Sequence, residues 1–178
     1  MQAALAALRP ANPRHPFPER DPDRPKGLNL LGTFARHPDL TRAFHTLAGH
    51  ALFGTTLSER HRELLVLRVA AVRECAYEWA QHLVLAAAAG ITEDEVVAVR
   101  DGKGLEGEEQ AMVDAVDELL RDAEVSDATW SALAAELDSQ QLMDVIFTVG
   151  TYDALAMAMK SFRVRLDDDL LLRKRPSH

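Results

Sequence analysis

The stretch SERHRELLVLRVAAVRECAYEWAQH, from Ser58 to His82, decides how this chain folds. Its first half carries Leu64, Leu65, Val66, Leu67, Val69 and Val72, and below its first turn it is apolar on nearly every side. Such a helix belongs at the centre of a bundle. Ser58 is placed to cap it. A turn near Arg73 leads into a second helix, which starts around Glu74 and ends at Gly90, a residue suited to closing a helix C-terminus. At about 100° per residue, Cys75, Glu78 and His82 fall within ~60° of arc on that second helix. A thiol, a carboxylate and an imidazole therefore share one stripe, and a hairpin of the two helices brings Glu63 to it. These are the components of a proton-transfer or thiol-activation site. Nothing else in the chain offers comparable chemistry.

Outward from this hairpin the pattern stays helical. Leu28, Leu31, Phe34 and Ala35 make one short apolar face, stopped by Pro38. Asp39 is placed to cap a helix carrying Leu40, Phe44, Leu47 and Ala51. Beyond Gly90, Thr92 and Glu95 form a capping box. Gly102, Gly104 and Gly107 make a loop, and a helix follows through Ala111, Met112, Ala115, Val116, Leu119 and Leu120. Ser126 caps the next one. The last helix runs from near Ser139 to about Phe162, with Gly150 inside it at a cost of ~1 kcal/mol relative to alanine, which points to close packing or a bend. No alternating strand and no repeat is evident. The reading is an all-α, single-domain multi-helical bundle over residues 27–166, with a proline-rich arm over 1–26 and a tail over 167–178. Six of the eight prolines lie between Pro10 and Pro25. They define an extended arm outside the core, either wrapped over the body or a neighbouring subunit, or loose.

The totals bound what the chain does. Its 178 residues suffice for one proper core, and 47% apolar with 27% charged is an ordinary globular balance. The formal charge is −8, and twelve of the 28 acids lie between Glu93 and Glu124. That surface repels phosphate backbones, so nucleic-acid binding is disfavoured. One cysteine excludes an intramolecular disulfide framework and a multi-thiolate metal site. The first residues do not form a signal-peptide pattern, and no apolar run approaches the ~20 residues of a membrane span. A soluble cytoplasmic protein is expected.

Each candidate has a plainer reading beside the chemical one. Cys75 is either a small core residue or a thiol held as thiolate by His82 and the helix dipole. Glu78 and His82 are either a surface ion pair or a half-buried acid–base pair with shifted equilibria. Glu63, in so apolar a helix, requires a partner: Arg68 or Arg73 structurally, His82 functionally. His61 and Arg62 read as exposed first-turn residues. His45 and His50 diverge by about 140° on a helix, a poor basis for a metal with His82. Neither a metal nor a cofactor is expected.

The spacing Glu63…Cys75-x-x-Glu78-x-x-x-His82 resembles the carboxymuconolactone decarboxylase and alkylhydroperoxidase-D superfamily. Leu57 to Arg68 before the motif, Gly90-Ile91-Thr92 after it and Gly150-Thr151-Tyr152 in the last helix extend the resemblance over about residues 28–165. It implies a cofactor-independent enzyme acting on a small organic molecule, assembled as a trimer or hexamer, or as a dimer. The hydroperoxidases are similar at Glu63, Cys75 and His82 but carry a second cysteine where this chain has Glu78, so their disulfide relay is missing here. A carboxylate at Glu78 looks like the decarboxylase branch, whereas Glu63 matches the hydroperoxidases better. By that resemblance His82 is the acid, oriented by Glu63 or Glu78, with Cys75 an adjacent donor. The alternatives are a single-cysteine peroxidase and a non-catalytic helical oligomer with a decayed site.

Overall fold

The computed structural model describes residues 2–15, 17 and 26–173, and among them there is helix but no strand. The central element is α4 (Glu59–Val72), numbered after α1 (Gln2–Ala6), α2 (Leu28–Phe34) and α3 (Pro38–Gly49). It is followed by α5 (Ala76–Ala88), α6 (Glu93–Asp101), α7 (Gly107–Asp122), α8 (Asp127–Ala134), α9 (Ser139–Ser161) and α10 (Asp168–Arg173). One π-helical turn, His50–Gly54, continues α3.

Packing explains why α4 is apolar all round. Leu65, Val66 and Val69 face Met112 and Val116 of α7 and Val145 and Val149 of α9. Leu64 and Leu67 face the other way, against Ala86, Ile91, Val99 and Val113. Each fully buried leucine or valine contributes about 1.5–3 kcal/mol relative to exposure. Covered on both sides, α4 is the central helix that its composition indicates. Uncovered apolar side chains are found on α9, where Met143 is 60%, Phe147 52% and Met157 56% exposed. By length and composition α9 also suffices to cross a membrane, a run the sequence reading did not credit, yet half of that stretch is buried within the protein. That is how a core helix behaves. Gly150 has nothing within 4 Å of where a Cβ would stand, so no close approach inside the protein accounts for it.

The α4–α5 turn fixes the site. Arg73 ends α4, and Glu74 takes a left-handed conformation at φ 50°. The Cys75 amide donates to the Ala70 carbonyl and the Glu74 amide to that of Ala71, a Schellman closure in which glycine is the usual occupant. Cys75 is thereby the N-cap of α5 and lies outside its first turn. Gly90 closes α5 in the same way at φ 81°, as expected. Ser58, Ser126 and the Thr92–Glu95 box cap their helices as the sequence indicates. Asp39 does not. The His37 ring accepts from the Leu40 amide and Pro38 takes the first helical position, where its missing N–H costs nothing.

The described part of the arm lies over the body. The Arg14 and His15 amides both donate to the Phe53 carbonyl, at 2.8 and 3.0 Å, and the His15 ring donates to Leu57 O at 2.8 Å. The Leu8 carbonyl passes so near Gly49 that a Cβ there would stand 2.5 Å from it. Only glycine admits that crossing. Residues 16 and 18–25, which hold the remaining arm prolines, lie outside the described residues.

Candidate active site

Glu63 points from α4 towards α5 and is fully buried. One carboxylate oxygen accepts from Arg62 Nε at 2.8 Å, and the other accepts from His82 Nδ1 at 2.6 Å. Arg68 and Arg73, its other possible partners, are taken by Asp117 and Asp153. Burial drives the Glu63 carboxyl upward, but the charges and hydrogen bonds of His82 and Arg62 outweigh it and hold the group below the ordinary carboxylate range. Glu63 is therefore an anion, and it holds a His82 proton on Nδ1. Arg62, expected at the surface, is 6% exposed and also donates to the Leu52 carbonyl at 2.9 Å. The reason is local: its guanidinium curls back onto the neighbouring carboxylate instead of reaching for water.

His82 lies edge-on to the Tyr152 ring of α9, with centroids 5.0 Å apart and planes at 89°. It lines an open cavity of ≈ 670 Å³ bordered by α2, α3, α5, α9 and the described part of the arm. With Nδ1 held by Glu63, Nε2 is the ring nitrogen that remains for a ligand in that cavity. Phe34, Phe44, Phe53, Leu30, Leu155 and Met159 make most of the wall apolar, and Tyr77, Gln81 and Thr151 add polar groups. Tyr77 donates to the buried Asp167 at 2.8 Å, which also accepts from Gln81 and from the Asn29 amide. That network ties the segment after α9 to the cavity wall, and sequence reading missed it because Asp167 lies 90 residues from Tyr77.

Glu78 also lines the cavity. It is 2% exposed, and neither carboxyl oxygen has a hydrogen-bond partner. Burial, reinforced by the nearby charge of Asp153, raises its pKa well above the ordinary value. The side chain is a neutral carboxylic acid beside the ligand space. It is not paired with His82, because that nitrogen already belongs to Glu63. Cys75 departs from expectation in another way. It is buried at 2% exposure among Tyr77, Ala156 and Met159, and its residue does not line the cavity. Burial raises its thiol pKa, although the Glu78 amide at the helix start pulls the other way. The hairpin turn removed it from the helical stripe.

His45 lines the cavity beside Phe34 and Phe44, while His50 turns away to Asp144 at 2.7 Å. The angular argument that separates these two holds. Among the described residues no three His, Cys, Asp or Glu side chains are grouped to hold a metal.

An all-α body with a buried carboxylate–imidazole pair against an apolar cavity defines a class of helical proteins. The profile of the carboxymuconolactone decarboxylase family matches residues 38–120. Several solved structures share the fold. A candidate antioxidant-defence AhpD protein of unknown function from Agrobacterium tumefaciens superposes with TM-score 0.69 at 18% identity, over 75% of this chain and 94% of that one. A peroxidase-related protein from Ralstonia eutropha with an alkylhydroperoxidase AhpD core gives 0.69 at 20% identity, over 90% and 95%. An uncharacterized peroxidase-related protein from Silicibacter gives 0.71 at 16%, over 79% and 77%. No protein of curated function matches the sequence. Over residues 38–120 the chain is similar to the carboxymuconolactone decarboxylase family, and its fold is that of the alkylhydroperoxidase-D-like structures.

Proposed function

We propose that this protein is a cofactor-independent enzyme that moves a proton on a small organic acid or lactone, decarboxylation being the reaction its site suits best. The observation that carries the reading is the 2.6 Å bond from His82 Nδ1 to a fully buried Glu63, with His82 on the wall of an apolar cavity. A carboxylate behind the imidazole orients the ring and stabilises its protonated form, so Nε2 serves as acid or base. In the decarboxylation, the C–C bond to the carboxylate breaks and carbon dioxide leaves. The electron pair stays on carbon, conjugated into an adjacent carbonyl, and Nε2–H of the His82 imidazolium supplies the proton that forms the new C–H bond. The neutral Glu78 donates a hydrogen bond to the carbonyl oxygen as negative charge grows there. Cys75 supports the helix start.

The peroxidase-related neighbours name the competing reading, a thiol attacking a peroxide. A buried thiol with a raised pKa, off the cavity wall and with no second cysteine in the chain, argues against it. The test is to incubate the protein in D₂O with a panel of β-keto acids and unsaturated lactone acids, following carbon dioxide release and C–H exchange by NMR. His82→Ala should abolish turnover and Cys75→Ser should retain most of it. Turnover that survives His82→Ala would refute this reading, and Cys75-dependent consumption of an added hydroperoxide would replace it with the peroxidatic one.

A further inference from the structure

The cavity wall has an electrostatic character opposite to that of the protein as a whole. The chain carries a formal charge of −8, yet the side chains around the cavity include Arg9 and Lys26. Glu78 is the only carboxyl among the described lining residues, and it is neutral for the reasons above. Among the described residues neither cation has a carboxylate partner. Arg9 lies over the Phe17 ring at 5.3 Å, a contact that leaves its guanidinium N–H groups free, and among the described residues it has no carboxylate partner. Among the described residues Lys26 donates its backbone amide to Asp169 at 3.3 Å, and its ammonium has no carboxylate partner. By contrast Arg60, Arg62, Arg68 and Arg73 each end on a carboxylate within 2.8 Å.

Both cations precede α2, in the stretch the sequence places outside the domain. Its residues 14, 15 and 17 are positioned all the same. Phe17 packs edge-on against Phe53 at 4.8 Å, and the Arg14 and His15 amides fix the backbone to the Phe53 carbonyl. A stacked guanidinium keeps its in-plane donors for an oxyanion.

We propose that Arg9 and Lys26 form the anion-recognition end of the cavity, and that its ligands are amphipathic monoanions: a carboxylate carried on an apolar, aromatic-sized body. This deepens the reading of the site given above, since it assigns the group that selects the acid and not the group that reacts. The volume of ≈ 670 Å³ suits such a body, within the ~300–1,000 Å³ usual for small-molecule sites. A small, fully hydrated acid would leave the aromatic wall unsatisfied, and a neutral molecule would leave the two cations unused.

The experiment compares 2-naphthoate with 2-naphthamide, which share a body and differ in charge, by isothermal titration calorimetry on the full chain. Naphthoate should bind about tenfold tighter, the worth of two partly screened charge contacts, and the preference should shrink as salt is raised. In R9Q/K26Q naphthamide affinity should stay and the naphthoate preference should vanish; both positions are exposed, so folding is not at stake. His82→Ala should keep the preference, because selection does not depend on the chemistry. Equal affinities in the wild type, a preference that survives R9Q/K26Q, or no naphthoate binding at millimolar concentration would each overturn the assignment. A retained preference in a protein inactive on every acid tested would instead sink the proton-transfer reading alone.

Discussion

Glu78→Gln should stabilise this protein increasingly as pH rises. The wild-type carboxyl is 2% exposed with both oxygens unpartnered, and burial raises its pKa well above 4.5. For an acid whose folded pKa is raised, the folded state binds the proton more tightly than the unfolded chain. Stability is then highest below the unfolded pKa and falls as pH rises, at about 1.4 kcal/mol per pH unit, until the folded pKa is passed. Glutamine keeps the size and leaves a similar unpartnered polar group, so its fixed burial cost is the same at every pH and cancels from the slope. The assay is urea unfolding at fixed protein concentration, in steps of half a pH unit from 4.5 upward. The difference in unfolding free energy, variant minus wild type, should climb by about 1.4 kcal/mol per pH unit through the first units above 4.5. Parallel profiles for the two proteins would refute the reasoning, because they would mean that Glu78 ionises in the folded state as easily as in the unfolded one.

Glu63→Gln should act in the opposite sense. It strands the buried Arg62 guanidinium and should cost about 3–5 kcal/mol in urea unfolding at neutral pH. Because the folded pKa of Glu63 is lowered, its contribution is full above 4.5 and is lost as pH falls through the lower folded value, so wild type and variant should converge in acid. Cys75 should react slowly with one equivalent of peroxide, as followed by sulfenic-acid trapping and mass spectrometry; fast trapping would contradict its burial and raised pKa. The exposed Met143, Phe147 and Met157 of α9 should be covered by a second copy of the chain. Sedimentation should then give a multiple of 19.7 kDa that falls to the monomer in Phe147→Lys/Met157→Lys, and a wild-type monomer would contradict it.

What the sequence determined by itself was whatever depends on neighbours along the chain. Capping is decided within one turn, which is why Ser58, Thr92, Glu95, Ser126 and Gly90 read correctly. The apolar run of α4 announced a central helix, and the i to i+4 spacing placed Glu78 and His82 on one side of α5. Cys75 slipped from that stripe because a Schellman turn, with Glu74 left-handed where glycine is usual, left no local mark. Only the tertiary structure chose His82 over Arg68 and Arg73 as the partner of Glu63, since that choice depends on which face of α4 meets α5 and which meets α7 and α9. It also drew Arg62 inward, and it folded the arm over the cavity so that Arg9 and Lys26 line its wall. A side chain's charge is written in the sequence. Whether that charge is solvated, paired or suppressed depends on burial, and burial is settled by contacts between residues far apart in the chain.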